Sequence, residues 1–174
     1  RNAGSLAEGQ GEAGRLQLKQ QYNLALQNSY TEIYEYDLAD NRLYLLLRNT
    51  EKLKPILYSG KMEEDLLCMM KDGIHPEDRQ IYWSFYDRNA IQEQFSAGSG
   101  PLETEYRRMG MDGQYHWVNA SIVPMTPPGP DMKAMILIKD VTERRTILDQ
   151  QLRLERRYNL AFRQSCDVVV EVDL

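Results

Sequence analysis

Two hydrophobic periods alternate along this chain. From Leu16 to about Asn28 the apolar positions follow helical spacing, with Leu18, Tyr22 and Ala25 on one stripe. At Ser29 the period changes to 2: Tyr34, Tyr36 and Leu38 fall on one face, and Ile33, Glu35 and Asp37 on the other, as a strand requires. Asp40-Asn41 signals a turn before the run Leu43-Tyr44-Leu45-Leu46-Leu47, so strands over 29–38 and 42–48 read as a hairpin. A run apolar on both faces predicts a strand covered from both sides, by the domain's own helices and by a partner helix or subunit.

Residues 61–72 read as a short helix, and Ile74-His75-Pro76-Glu77-Asp78-Arg79 as the start of a longer one, with Pro76 in its first turn and two acids near the positive end of the dipole. That helix offers Ile81, Phe85, Ile91 and Phe95 inward and ends before Gly98 and Gly100. Three strands follow. Leu102–Met109 and Tyr115–Met125 flank the Asp112-Gly113 turn, and Met132–Lys139 comes after the proline-rich loop 126–131, its Met135–Ile138 stretch again apolar on both faces. The order predicts an α+β domain, a five-stranded antiparallel sheet with helices on one face. Asp140, with Glu143 three residues on, reads as the N-cap of a closing helix that meets no Gly or Pro through the last residue of the chain.

That helix leads into a repeat. Leu16–Leu38 and Leu152–Leu174 are identical at ten of 23 positions at one offset without a gap, including Tyr22-Asn23-Leu24-Ala25 against Tyr158-Asn159-Leu160-Ala161. A period this long makes the repeating unit a whole domain rather than a solenoid turn. The expected organisation is a flexible leader over 1–14, one domain over 15–141 with its N-terminal helix at 16–28, a connecting helix over 142–165, and the first strand of a second, truncated copy over 166–174. On this reading the chain is a piece of a tandem array.

A net charge of −5 and a pI near 5.1, without a Lys/Arg cluster standing above the acidic background, argue against a nucleic-acid surface. No apolar run reaches membrane-spanning length, and no membrane contact is expected of these residues. Cys68 and Cys166 lie in different copies of the repeat, and reduced thiols in a cytoplasmic protein explain them most simply.

Four motifs, in order, resemble a family. Ile74-His75-Pro76-Glu77-Asp78-Arg79, Glu105-Tyr106-Arg107, Asp112-Gly113-Gln114-Tyr115-His116-Trp117-Val118 and Asp140-Val141-Thr142-Glu143 are similar to those of PAS sensor domains. The resemblance covers roughly residues 17–145 and restarts near 153. It implies the PAS fold, a cytoplasmic signalling protein of tandem type, a bacterial source, and an output domain beyond this chain, with a diguanylate cyclase favoured over a histidine kinase.

Candidate chemistry is sparse. No Ser/His/Asp arrangement, zinc-ligand spacing or phosphate-binding loop predicts catalysis, and neither His75 nor His116 sits on the long helix where a haem ligand would project. No cofactor is expected, and no metal. The space between sheet and helices leaves room for an unidentified small molecule, with Tyr36, Trp83, Tyr86, Tyr106, Arg107 and Trp117 as its candidate lining. Arg107 either pairs with a carboxylate, Glu105 or Glu35, or holds an acidic ligand. Glu35 and Asp37 recur in the second copy, so a structural role is expected of them. Asp140, Thr142 and Glu143 are the candidate transmission residues. Ile147, Leu154 and Ala161, with Arg144, Gln151 and Tyr158 between them, form a weak heptad seam that suits a homodimer.

Overall fold

Strand alternation at both ends of the domain closes into one sheet in the computed structural model, which describes residue 21 and residues 24–55 and 58–167. The chain divides into two units, Arg1–Asp140 and Val141–Leu174. The leader expected over 1–14, most of the helix expected over 16–28 and the strand positions 168–174 lie outside the described residues.

In the first unit, helical residues 24–29 (α1) precede β1 (Glu32–Asp37) and β2 (Arg42–Arg48). Next come α2 (Met62–Asp72), a short 3-10 turn over Pro76–Asp78, α3 (Arg79–Phe85) and α4 (Arg88–Ser96). The sheet is completed by β3 (Leu102–Met109), β4 (Tyr115–Pro124) and β5 (Lys133–Asp140). Its order is β2-β1-β5-β4-β3, antiparallel throughout. The turns are those their residues favour. Asp37 Oδ1 accepts from the amides of Ala39 and Asp40, Asn41 takes a positive φ of 56° that an asparagine tolerates, and Gly113 takes 75°. Among the described residues, no helix is long and apolar enough to cross a membrane.

One face of the sheet carries the core. Tyr34, Tyr36, Tyr106, Val118, Ala120, Ile122, Ala134, Ile136 and Ile138 pack with Met62, Leu66 and Met69 of α2 and with Tyr82, Tyr86, Ile91 and Phe95 of α3 and α4. Burying a valine, isoleucine, leucine, methionine or phenylalanine among these contributes about 1.5–3 kcal/mol each. Two expectations fail here. The single long helix is two, because Asp87 leaves helical geometry and its carboxylate accepts from the Ala90 amide at 2.8 Å, capping α4. That break rotates the inward face: Tyr82 and Tyr86 are buried, whereas Ile81, expected inside, is 48% exposed.

The second failure concerns β2, and only the side expected under the domain's own helices: on this edge strand Leu43 is buried but Leu45 is exposed, while Tyr44 and Leu46, on the side expected against a partner, are exposed in the single chain. A bulge in β2, opposite Ile33 and Tyr34 of β1, leaves Leu46 without a partner across the ladder and shifts the alternation of β2. The start of the outer edge is occupied by residues 58–61: the Leu43 amide bonds to the Gly60 carbonyl at 3.1 Å, and the Tyr58 hydroxyl donates to the Leu43 carbonyl. Central β5, by contrast, is buried on both faces at Ile136, Leu137 and Ile138.

The second unit contains α5 (Thr142–Asp167), a continuous helix of 26 residues that extends past the 165 expected for its end. The Val141 carbonyl accepts from the Arg145 amide at 2.9 Å, so the cap position is Val141, one residue after the Asp140 expected, which closes β5. Ile147, Leu154, Tyr158 and Ala161 of the expected seam are exposed.

Candidate functional site

Register decides which polar side chains enter the core. On β3, Tyr106 and Arg108 share the inward face, and the intervening Arg107 points to the other. On β1, Glu32 lies two residues before Tyr34 and four before Tyr36, and so turns inward with them. The result is a buried ion pair. Glu32 is 0% exposed and Arg108 2%, with Arg108 Nη1 donating to Glu32 Oε2 at 2.6 Å and Nη2 to Oε1 at 3.1 Å. Such a forked geometry is the strong form of the interaction.

Further donors complete the carboxylate's environment. The Tyr34 hydroxyl donates to Oε2 at 2.9 Å, and Arg48 at the end of β2 reaches Oε1. Arg48 also donates to the Leu53 carbonyl at 2.6 Å, and Arg108 to the Lys54 carbonyl at 2.8 Å. These carbonyls are held in place because Leu53 bridges to Gly110 and Ile74 to Arg108, extending the ladder beyond β3. Burial alone would lower the pKa of Arg108, but the Glu32 charge and hydrogen bonds more than offset it and hold the guanidinium charged.

Beside this pair lies a cavity of about 30 Å3, lined by Glu32, Arg108, Tyr34, Tyr82, Tyr86, Tyr106, Asp65 and apolar side chains from β2, α2 and β5. The Tyr86 and Tyr106 hydroxyls are 3.0 Å apart and share one hydrogen bond. Their rings and that of Tyr82 meet edge to face, with centroids 5.0–6.4 Å apart. Burial pushes Tyr106 up to about 12 and carries Tyr82 and Tyr86 well above the ordinary phenol value, so all three remain protonated donors. Asp65 is committed elsewhere: its oxygens accept from the Ser59 and Gly60 amides at 2.6 and 3.2 Å.

The six residues expected to line one pocket fall into three places. Tyr86 and Tyr106 line the internal cavity. Tyr36, Trp83 and again Tyr86 line a surface pocket of about 320 Å3, together with Met62, Leu66 and Arg88. Tyr36 is fully buried, its hydroxyl bonded to Asn41 at 2.8 Å and its pKa pushed up to about 12 by burial, while Trp83 is 40% exposed. Arg107 and Trp117 are on the far side of the sheet, opposite each other in the β3–β4 register, the guanidinium 5.2 Å from the indole.

The partners of Arg107 are not those expected. It takes Asp78 through Nε at 2.8 Å and Nη2 at 2.7 Å, and Glu77 at 2.8 Å, rather than Glu105 or Glu35. Its hydrogen bonds lower the pKa of both Asp78 and Glu77. Glu35 and Asp37 instead face Lys133, at 2.8 and 3.7 Å. His75 caps the 3-10 turn through Nδ1, and His116 lies against Asp112 and Asp140; neither lines a cavity described above.

Sequence reasoning missed Glu32, Tyr34, Tyr82 and Arg108. The first, second and fourth were within reach, since counting by twos from Tyr36 and Tyr106 arrives at Tyr34, Glu32 and Arg108. Tyr82 was hidden by the unrecognised helix break.

The family model described as PAS fold matches residues 58–136. No curated protein matches the chain. Among solved structures, a sensory box histidine kinase/response regulator from Burkholderia thailandensis E264 is similar at 18% identity and a TM-score of 0.50, covering 80% of this chain and 98% of its own. The N-terminal domain of a diguanylate cyclase with PAS/PAC sensor from Marinobacter aquaeolei matches at 18% identity, 66% and 97% coverage and a TM-score of 0.41. A PAS domain from Colwellia psychrerythraea matches at 21%, 72% and 98%, and 0.42. The strand order, the helices packed on one face and the match over 58–136 together make the first unit of this chain a domain of the PAS fold.

Proposed function

We propose that this domain is a sensory and dimerisation module of a cytoplasmic signalling protein, relaying a signal through α5 to a further repeat and an output domain in the same protein. The observation that carries the reading is one of connectivity. Ile136 and Ile138 of β5 line the internal cavity, β5 ends at Asp140, and α5 begins at Thr142. A change in the cavity therefore acts on the strand whose next residues open a helix without Gly or Pro. Asp140, Thr142 and Glu143 stand at that junction.

The apolar residues of α5 support a dimer. Ile147, Leu154 and Tyr158 are exposed and recur near heptad spacing, yet Arg144 and Gln151 interrupt the seam. A seam of this composition is marginal, which suits a switch, because two packings that differ by a few kcal/mol are readily repopulated. A diguanylate cyclase is the output favoured by the sequence motifs.

The experiment is an insertion of two glycines after Gln150 in the longer protein. Loss of regulated output with retained basal output is expected. Unchanged regulation rejects the relay.

A further inference from the structure

His116 stands between two carboxylates, one at each of its ring nitrogens. Nε2 lies 3.1 Å from both oxygens of Asp112, and Nδ1 lies 3.6 Å from Asp140 Oδ2. The ladder brings His116 and Asp140 together. His116 precedes Val118 by two residues and Val118 pairs with Asp140, so all three share one face at the end of the sheet. The turn between β3 and β4 supplies Asp112.

The turn is shaped to hold the ring. Asp112 Oδ1 accepts from the Gln114 amide at 3.0 Å, and the Gly110 amide donates to the Gln114 carbonyl at 2.7 Å. The imidazole lies across Gly110 so closely that a Cβ there would stand 2.5 Å from His116 Cδ2 and 2.4 Å from Asp112 Oδ1, so a side chain at 110 would displace both groups. The side chain of His116 is 15% exposed and that of Asp140 16%, so solvent screens their interaction incompletely.

Protonation decides whether both carboxylates are held. A neutral imidazole has one N–H and one lone pair. Donating to Asp112, it turns the lone pair on Asp140; donating towards Asp140, it turns the lone pair on two oxygens 3.1 Å away. The imidazolium donates to both. Further charged groups border the ring. Arg108, opposite His116 on β3, is bonded to Glu32 and the Lys54 carbonyl. Lys52 is tied to the same turn by its carbonyl, which accepts from the Met111 amide. His75 packs on Tyr115, and its Nδ1 accepts from the Glu77 amide. Glu143, Arg144 and Arg145 follow Asp140 in the first turn of α5.

We propose that His116 is a proton-operated clasp: charged, it ties the β3–β4 turn through Asp112 to the end of β5 through Asp140, and as pH rises through the histidine range it keeps only one of the two. Asp140 is the last residue of β5, two before α5 begins at Thr142. This goes beyond the relay reading by naming a proton as an input to that junction, and rests on the relay only for its consequence downstream.

The test is hydrogen exchange of the 174-residue chain between about pH 5 and pH 8, with the ring titrations of both histidines followed by NMR in the same samples. After correction for the intrinsic pH dependence of exchange, protection at Lys139 and Asp140 is expected to fall roughly two- to fivefold as His116 loses its proton, the effect of a partly exposed ion pair. His75→Gln is expected to keep that fall, and His116→Gln and Asp140→Asn to remove it. Protection that stays level in the wild type while the His116 ring titrates overturns the proposal, as does a ring that keeps one protonation state throughout. A fall that survives in His116→Gln, or vanishes in His75→Gln, overturns it too. Where a variant does not fold, the wild-type comparison decides alone. Because the clasp is read on this chain without an output domain, its failure is distinct from failure of the relay tested by the glycine insertion.

Discussion

Glu32 and Arg108 define what a single side chain can do in this interior. Glu32→Gln leaves Arg108 charged and only partly paired in a dry environment, and the expected cost is about 3–5 kcal/mol, read from urea unfolding. On the other side of β3, Asp78 gives a different signature. The Arg107 guanidinium holds its carboxyl below the usual range. The stability this brings is therefore fully present above about pH 4 and is lost as pH falls through the lower, folded value. Asp78→Asn is expected to melt at a lower temperature near about pH 6 but to lose less than the wild type as pH falls to about 3; parallel pH profiles would contradict the assignment. Legibility at this level was uneven. The pairing of Arg107 was readable in kind but not in partner, because Asp78 is brought to β3 by tertiary packing rather than by the strand ladder. Arg108, next to it in sequence, holds the inward place.

Among the elements, the sheet was the more legible part. Its strand spacing, the Asp112-Gly113 turn and the alternation along β1 follow from local rules that tertiary packing reinforces. The helices over 79–96 were not legible, since their apolar residues fit one continuous stripe as well as two short ones. What separates them is Asp87, whose side chain bonds to the Ala90 amide. Asp87→Ala removes that cap, at an expected cost of about 1 kcal/mol by urea unfolding. A variant as stable as the wild type would mean that packing of Ile91 and Phe95 alone sets the start of α4. The β2 edge shows the converse limit: an apolar run states that burial would be favourable, and strand order decides whether burial occurs.

Across the whole molecule, the domain combines an ordinary apolar core with a polar pocket that the fold does not demand. A buried ion pair is seldom a net source of stability, because desolvation consumes most of its Coulomb energy. At the offset of the repeat, Val168 and Val170 stand at the positions of Glu32 and Tyr34, so the second copy does without this polar pair. The unfolding free energy of the Glu32→Val, Arg108→Met double variant tests whether the first copy can do without it as well. The double variant is expected to unfold within about 1 kcal/mol of the wild type or above it, although each single change is costly. A double variant that loses about 3 kcal/mol or more would contradict this and return Glu32 and Arg108 to the fold.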